Sequence, residues 1–264
     1  MGKMKNAPLI YTVGMIQFPR IPNIENFIDP FLESVRKDYP LDDSYIAPTF
    51  MANIGPEGIK MKPHQENKLW QFSSIDRKWS IVLSNHAIFL HTSSYHDFSS
   101  FIEKFRFCVT ALNRVPHINI RWMTSIGIRY VNLIASAGKE QLSDYIESWV
   151  LPENPPGTSL EIIQGIHIGR YKTECGELRL QALHNPPFTL PPELSSPFVV
   201  KNGWIRDKPV SEFALVDLDH GTTWEAYREF NVNNAMNQLS SLRKVSRSVF
   251  DLVVTDKAMK LWRK

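Results

Sequence analysis

Cysteine is almost absent from this sequence. The chain of 264 residues contains two, Cys108 and Cys175, which lie far apart. A secreted protein of this size typically carries several paired cysteines, so a disulfide framework is not expected. Cys108 lies within an apolar helical pattern and is assigned to the core. Cys175 lies in a predicted turn, where its thiol can react, although the sequence indicates no base beside it.

Long hydrophobic runs are also missing. No stretch approaches the roughly 18 apolar residues that a membrane-spanning helix needs. The first apolar run is interrupted by Thr12, Gly14 and Gln17 and is not followed by a small-residue cleavage site, which argues against a signal peptide. We therefore expect a cytoplasmic protein without a membrane partner.

Neither sign of charge dominates the composition. The 30 Lys and Arg residues against 27 Asp and Glu residues give a net charge of +3. Nucleic-acid-binding domains typically carry a clustered basic face, and the main candidate here is Arg243, Lys244 and Arg247 of the last predicted helix. We interpret this face as a solvated helix surface and keep nucleic-acid binding as an alternative function.

Sequence signatures of catalysis are absent as well. The chain has no G-x-G-x-x-G, no Walker-type loop and no G-x-S-x-G elbow. Asp217 and Asp219, in VDLDH, are typical of metal-dependent chemistry because alternate strand residues share a face, but no second acidic cluster accompanies them. No catalytic residue, metal site or cofactor is predicted.

The hydrophobic patterns predict an α+β protein. A composition of 43% hydrophobic and 22% charged residues is typical of a folded domain. The predicted strands are joined mainly by hairpins, which favours antiparallel sheets. We predict two similar halves, residues 1–136 and 137–264, that form one compact unit. Each half is expected to be an antiparallel sheet packed by a long amphipathic helix.

Several individual helices and strands are predicted for the second half. They are a short helix at 139–150, a hairpin of strands 160–172 and 177–183, strands at 198–206 and 211–219, and a last helix at about 233–254 whose apolar stripe includes Leu252.

A full charge stands in the middle of a predicted strand. In SIGIRYVN, residues 125–132, Arg129 shares one face with Gly127. Because an unpaired buried charge is costly, Arg129 needs solvent or a carboxylate, and Asp217 and Asp219 are the expected partners across the seam between the halves. Gly127 predicts that another group approaches this face closely.

This group has two interpretations. In the structural one, the ion pair sets the register between the halves. In the functional one, a polar groove formed by Arg129, Tyr130, Asn132, Asp217 and Asp219 binds a small phosphate-containing ligand.

Prolines make residues 185–197 unsuitable for regular structure and keep the segment extended. This segment carries three apolar side chains between its prolines and polar residues, those of Phe188, Leu190 and Leu194. They either cover the chain's own core or bind a partner protein.

Short motifs along the chain resemble a sporadically distributed bacterial family of about this length that has no established activity. The last helix departs from the family pattern, since it offers Arg243 or a neighbour where the family often has a histidine. The resemblance implies a bacterial origin and a mobile or defence-type gene neighbourhood. The matching motifs are A-P-L-I-Y-T-V ending in F-P (7–19), Y-P (39–40), L-W-Q-F-S-S (69–74), I-G-I-R-Y-V-N (126–132), V-D-L-D (216–219) and S-V-F-D-L-V-V-T-D-K (248–257).

Together these features predict a non-enzymatic protein-binding or regulatory factor in phage defence or toxin control. The expected partner is another protein, with a homodimer as an alternative. The alternative functions are an enzyme or sensor that binds a small phosphate-containing ligand, and a nucleic-acid-binding protein.

Overall fold

A computed structural model of the chain describes residues 7–55, 58–154, 156–195 and 212–263. The described residues form ten strands. They are β1 (Leu9–Gln17), β2 (Leu41–Asp42), β3 (Tyr45–Gly55), β4 (Gly58–Ser73), β5 (Trp79–Leu83), β6 (Ala87–Thr92), β7 (Trp122–Ala135), β8 (Gly165–Thr173), β9 (Gly176–His184) and β10 (Phe213–Glu229).

The described helices are fewer than the strands. They are α1 (Ile28–Val35), α2 (Phe98–Arg114), α3 (Pro192–Ser195), α4 (Val232–Val253) and α5 (Asp256–Arg263), with short 3-10 turns between some elements.

One antiparallel sheet organises the fold, and the predicted α+β class is confirmed. The strand order is β2-β4-β5-β6-β1-β7-β10-β9-β8, and β3 pairs with β4. Residues 1–136 supply β1 to β7 and residues 137–264 supply β8 to β10, so both ranges contribute to the same sheet. They join where β7 pairs with β10, from Ala135 opposite Phe213 to Ser125 opposite Thr223. The seam predicted at Arg129 is therefore a pair of neighbouring strands, not a contact between two sheets.

Helices α2 and α4 lie on one side of this sheet, which we call the helix face. Asp97 caps the N-terminus of α2, and its carboxylate accepts a hydrogen bond from the Ser100 backbone N–H at 2.8 Å. Its Phe101 ring lies where a Cβ atom on Gly14 would be only 3.0 Å away. Glycine in β1 thus allows the helix to approach the strand closely. Helix α4 contacts β7, β10 and α2, so most of the buried apolar residues lie on this face.

The proline-rich segment covers part of the opposite side, which we call the strap face, and we call residues 186–195 the strap. Leu190 and Leu194 of the strap are 4% and 6% exposed. They pack in a second apolar cluster with residues of the neighbouring strands. The strand residues of this cluster are Ile10, Tyr11, Val13, Val131, Leu133, Leu183, Phe213 and Leu215.

Some sequence predictions were wrong at the level of single elements. Residues 139–150 contain two 3-10 turns and not a helix, because Ile146 forms a β-bridge with Val254 instead. Leu252 is 67% exposed, since the buried stripe of α4 passes through Phe250 and Val253. Helix α5 was not predicted. The strand predicted at 198–206 lies outside the described residues.

Candidate functional site

A row of polar side chains crosses the strap face from strand to strand. The register places Arg129 of β7 opposite Asp219 of β10, and Asp219 opposite Arg179 of β9. In the other direction, Arg129 faces Val13 of β1, which faces His91 of β6. Residues in register on adjacent strands share a face. This polar row consists of Ser73, Ser80, His91, Arg129, Asp219, Arg179 and Arg170.

Two carboxylates hold Arg129. Its Nε lies 2.9 Å from Asp217 Oδ1 and its Nη2 lies 2.6 Å from Asp217 Oδ2, a bidentate arrangement. Nη2 also lies 2.7 Å from Oε1 of Glu193 in the strap. The side chains of Arg129 and Asp217 are 14% and 3% exposed. The predicted ion pair with Asp217 is present, and it joins neighbouring strands. Glu193 is a further partner that the sequence did not indicate.

Arg129 belongs to a network of charged side chains that interact mainly with one another. Burial acts to lower the pKa of Arg129, but the hydrogen bonds and charge of Asp217 outweigh burial and raise it. Arg129 and Arg179 together face three carboxylates, those of Glu193, Asp217 and Asp219. An anion placed beside Arg129 meets an excess of negative charge, which disfavours it.

Asp219 is exposed to solvent, as are Arg179 and Glu193 of the same network. Burial of its carboxyl among neighbouring groups raises its pKa. The charge of Arg129 opposes this rise and that of Asp217 adds to it. The Asp219 carboxyl is surrounded by other groups and still reaches solvent, because it lines an open groove.

That groove has a volume of about 710 Å³. Gly127 and Gly221 stand directly opposite each other beside the polar row, and a Cβ atom on Gly221 would lie 3.2 Å from the Ile126 carbonyl oxygen. A Cβ atom on Gly127 would lie 3.4 Å from the His220 carbonyl oxygen, an ordinary contact, so the close approach predicted at Gly127 is not found there but at Gly221 on the facing strand. The residues lining the groove are Arg170, Gly176, Glu177, Arg179, Asp219, Gly221, Thr222 and Thr223.

Two residues of the predicted ligand set do not lie with Arg129. Tyr130 and Asn132 alternate with Arg129 along β7, so their side chains point to the helix face. The Tyr130 ring packs edge-on against Tyr95 at a centroid distance of 5.8 Å. The Asn132 amide donates to the Val216 carbonyl oxygen at 3.2 Å. The five predicted residues therefore do not form one site.

The apolar residues predicted to bind a partner lie in the strap. Leu190 and Leu194 are buried against the chain's own sheet, and Phe188 is half-buried beside them. These residues therefore cover the chain's own core, which is the first of the two interpretations of this segment.

The basic residues of the last long helix are partly engaged within the fold. The Arg243 guanidinium lies 5.5 Å from the centre of the Phe98 ring, and that of Arg247 lies 5.9 Å from the Phe250 ring. Arg247 also pairs with Asp251 at 3.0 Å. Lys244 is the exposed member of the three. This arrangement matches a solvated helix surface better than a phosphate-binding face.

The outermost strand at one end of the sheet is β8. It runs for nine residues and pairs with β9, and within the described ranges no strand pairs with its other side. Ile166 and Ile168, which share the strap face, are 58% and 55% exposed. A long apolar edge is a template for pairing with another chain, and proteins commonly protect such edges.

Sequence reasoning predicted β8 as a strand but not its edge position. Strand order depends on pairing between distant segments, which alternation alone does not reveal. The signal that could have indicated an edge is the basic end of the strand, Arg170 and Lys172, because charged residues are typical of edge strands.

Comparisons with models of protein families and with curated proteins found no match to this chain. In the part of the chain that the structure describes, no helix is long and apolar enough to cross a membrane. The same described residues contain no group of three or more His, Cys, Asp or Glu side chains placed to hold a metal ion. Asp219 and His220 of VDLDH point to opposite faces of β10.

Proposed function

We propose that the chain is a non-enzymatic protein-binding factor that adds an extended partner segment to its sheet at β8. The observation that carries this proposal is the β8 edge, which exposes Ile166 and Ile168 beside an outer side that no described strand pairs. In β-strand addition, the main chain supplies the ladder of hydrogen bonds and alternate side chains supply selectivity.

The side chains of β8 indicate what kind of segment fits. Ile166 and Ile168 favour apolar residues at alternate positions of the partner. The other end of the strand carries Arg170 and Lys172, and Arg170 already pairs with Glu177 of β9 at 2.8 Å. Lys172 therefore favours an acidic residue in the partner. We infer that the partner is an extended segment with alternating apolar residues and an acidic end.

Selection from a displayed library of random peptides tests this proposal. We expect enriched peptides with the alternating apolar and acidic pattern, and Ile168→Glu is expected to weaken their binding about tenfold or more, since it places a charge in the apolar contact. Ile75→Glu is the matched control, because Ile75 is 74% exposed and lies outside the strands, in the turn after β4.

Two other outcomes are decisive. Peptides that bind wild type and Ile168→Glu equally contradict the proposal. A dimer that forms with rising concentration in sedimentation experiments, and that Ile168→Glu abolishes, identifies the partner segment as β8 of a second copy and contradicts the acidic end inferred for it, because β8 carries Arg170 and Lys172.

We also propose, from the family resemblance, that the protein is bacterial and cytoplasmic and acts in phage defence or toxin control. We further propose that its two halves arose by duplication. What supports duplication is that residues 1–136 and 137–264 each contribute antiparallel strands and one long amphipathic helix, α2 or α4.

The groove beside Gly221 favours a second candidate function, binding of a small phosphate-containing ligand. Its volume of about 710 Å³ is typical of ligand sites, and Arg179 rather than Arg129 lines it. A nucleotide that binds there is expected to raise the melting temperature of wild type and of the control Arg36→Ala, but not of Arg179→Ala. A panel without any such shift contradicts this candidate.

A further inference from the structure

Cys175 lies next to a buried histidine at the end of the β8–β9 hairpin. Its Sγ is 3.9 Å from Nε2 of His220, and the Thr173 hydroxyl oxygen is 2.9 Å from the same nitrogen. His220 is fully buried in β10, whereas Cys175 is half-buried. Folding thus places a base beside this thiol from a position 45 residues further along the chain.

The surroundings of His220 determine which ring nitrogen accepts a proton. Nδ1 lies 2.9 Å from the Leu242 carbonyl oxygen. That oxygen can only accept, so Nδ1 carries the ring proton and Nε2 has the free lone pair. Burial lowers the pKa of His220, which keeps the imidazole neutral near pH 7 and able to accept.

Thr173 and Cys175 compete to donate to Nε2. The Thr173 hydroxyl oxygen is also 2.9 Å from the Gly176 carbonyl oxygen, and its single proton can serve only one acceptor. When Thr173 donates to Gly176, the thiol of Cys175 is the donor that faces the imidazole.

The turn that carries Cys175 is anchored on both sides. The Cys175 carbonyl oxygen accepts hydrogen bonds from the Thr222 hydroxyl and, at 2.9 Å, from the Gln238 amide of α4. A Cβ atom on Gly176 would lie 2.2 Å from the Gly221 carbonyl oxygen, so glycine allows the turn to approach β10. These contacts hold the thiol opposite the imidazole, as a preorganised site requires.

We propose that Cys175 is a thiol-exchange site in which His220 accepts the thiol proton, and that its substrates are low-molecular-weight disulfides. Cys175 Sγ attacks one sulfur of the substrate, so a new S–S bond forms and the original S–S bond breaks. The thiol proton passes through Nε2 of His220 to the departing thiolate. Cys175 is oxidised to a mixed disulfide while the departing half is reduced to a thiol, so no further oxidant is needed.

The donors around Cys175 favour disulfide exchange over acyl transfer. Acyl transfer creates an oxyanion that needs hydrogen-bond donors aimed at it. Thr222 and Gln238 instead donate to the carbonyl oxygen of Cys175 itself. Exchange keeps the negative charge on sulfur and does not need an oxyanion site.

Cys108 provides an internal control within the same chain. It is fully buried in α2, and burial raises its pKa to about 12. After incubation of the full chain with glutathione disulfide at about pH 7, intact mass and peptide mapping are expected to show one adduct per chain, at Cys175. His220→Gln is expected to slow adduct formation about tenfold or more, because it removes the base. Arg36→Ala alters only an exposed pair with Glu33, leaves the imidazole in place and is expected to retain the rate.

The pH dependence of the rate separates base assistance from mere exposure of the thiol. Without a base, the rate follows the thiolate fraction and falls about tenfold per pH unit below the thiol pKa. With His220 as acceptor, wild type and Arg36→Ala are expected to show a shallower fall between about pH 7 and 6. This measurement decides the role of His220 even when His220→Gln does not fold.

Four results overturn the proposal. The first is a folded chain that forms no adduct at Cys175, and the second is modification of Cys108 at the same rate. The third is a fall of about tenfold per pH unit in wild type, and the fourth is equal rates in wild type and folded His220→Gln.

Discussion

Asp217→Ala is expected to lower the free energy of unfolding by about 3 kcal/mol, because it leaves the Arg129 guanidinium largely buried without its bidentate partner. Asp217 is 3% exposed and Arg129 14% exposed, so water replaces little of the lost interaction. Glu193 remains within reach of Nη2 but is 59% exposed, and it compensates weakly. Denaturant unfolding of wild type and variant measures the difference.

Two controls make this prediction specific. Glu33→Ala removes a pair with Arg36 in which both side chains are mostly exposed, and it is expected to cost less than about 1 kcal/mol. The double variant Arg129→Met with Asp217→Leu removes both charges and is expected to recover most of the loss, since apolar replacements of a buried pair are often neutral. An Asp217→Ala variant as stable as Glu33→Ala contradicts the prediction.

The fold class could be predicted because strand alternation and helix periodicity are local. The face of β7 that carries Arg129 follows from a period of two, and the same rule places Asp217 on the matching face of β10. The pairing of these two residues was therefore predictable once β7 and β10 were taken as neighbours. The same rule separates Tyr130 and Asn132 from Arg129, so they could have been left out of the ligand set.

The missed features depend on contacts between distant parts of the chain. Glu193 reaches Arg129 because the strap crosses the sheet, and the proline-rich sequence gives no direction for that crossing. His220 meets Cys175 because the β8–β9 turn folds against β10. The edge position of β8 depends on the order of all the strands. Local periodicity contains none of this information. The burial of Leu190 and Leu194 against the chain's own core, in contrast, was one of the two predicted alternatives.

Acidification is expected to destabilise the protein through His91, the buried histidine of the polar row. His91 is 1% exposed, and burial lowers its pKa from 6.5 to about 3. Between these two values the unfolded chain binds a proton at this residue that the folded chain does not, so stability falls as the pH falls through this window. From pH 7 to pH 4 the loss attributable to His91 is about 3 kcal/mol, at 1.36 kcal/mol per pKa unit.

His91→Gln isolates this contribution, since the amide is polar but does not titrate. Both proteins share the titration of their carboxylates and of His220, so the difference between their unfolding free energies at pH 7 and pH 4 reports His91. We expect wild type to lose about 3 kcal/mol more than the variant over this range. Equal losses contradict a buried, neutral imidazole. They would mean that His91 gains its proton in the folded state, and that the Tyr11 hydroxyl, 3.2 Å from Nδ1, acts as an acceptor for the charged ring.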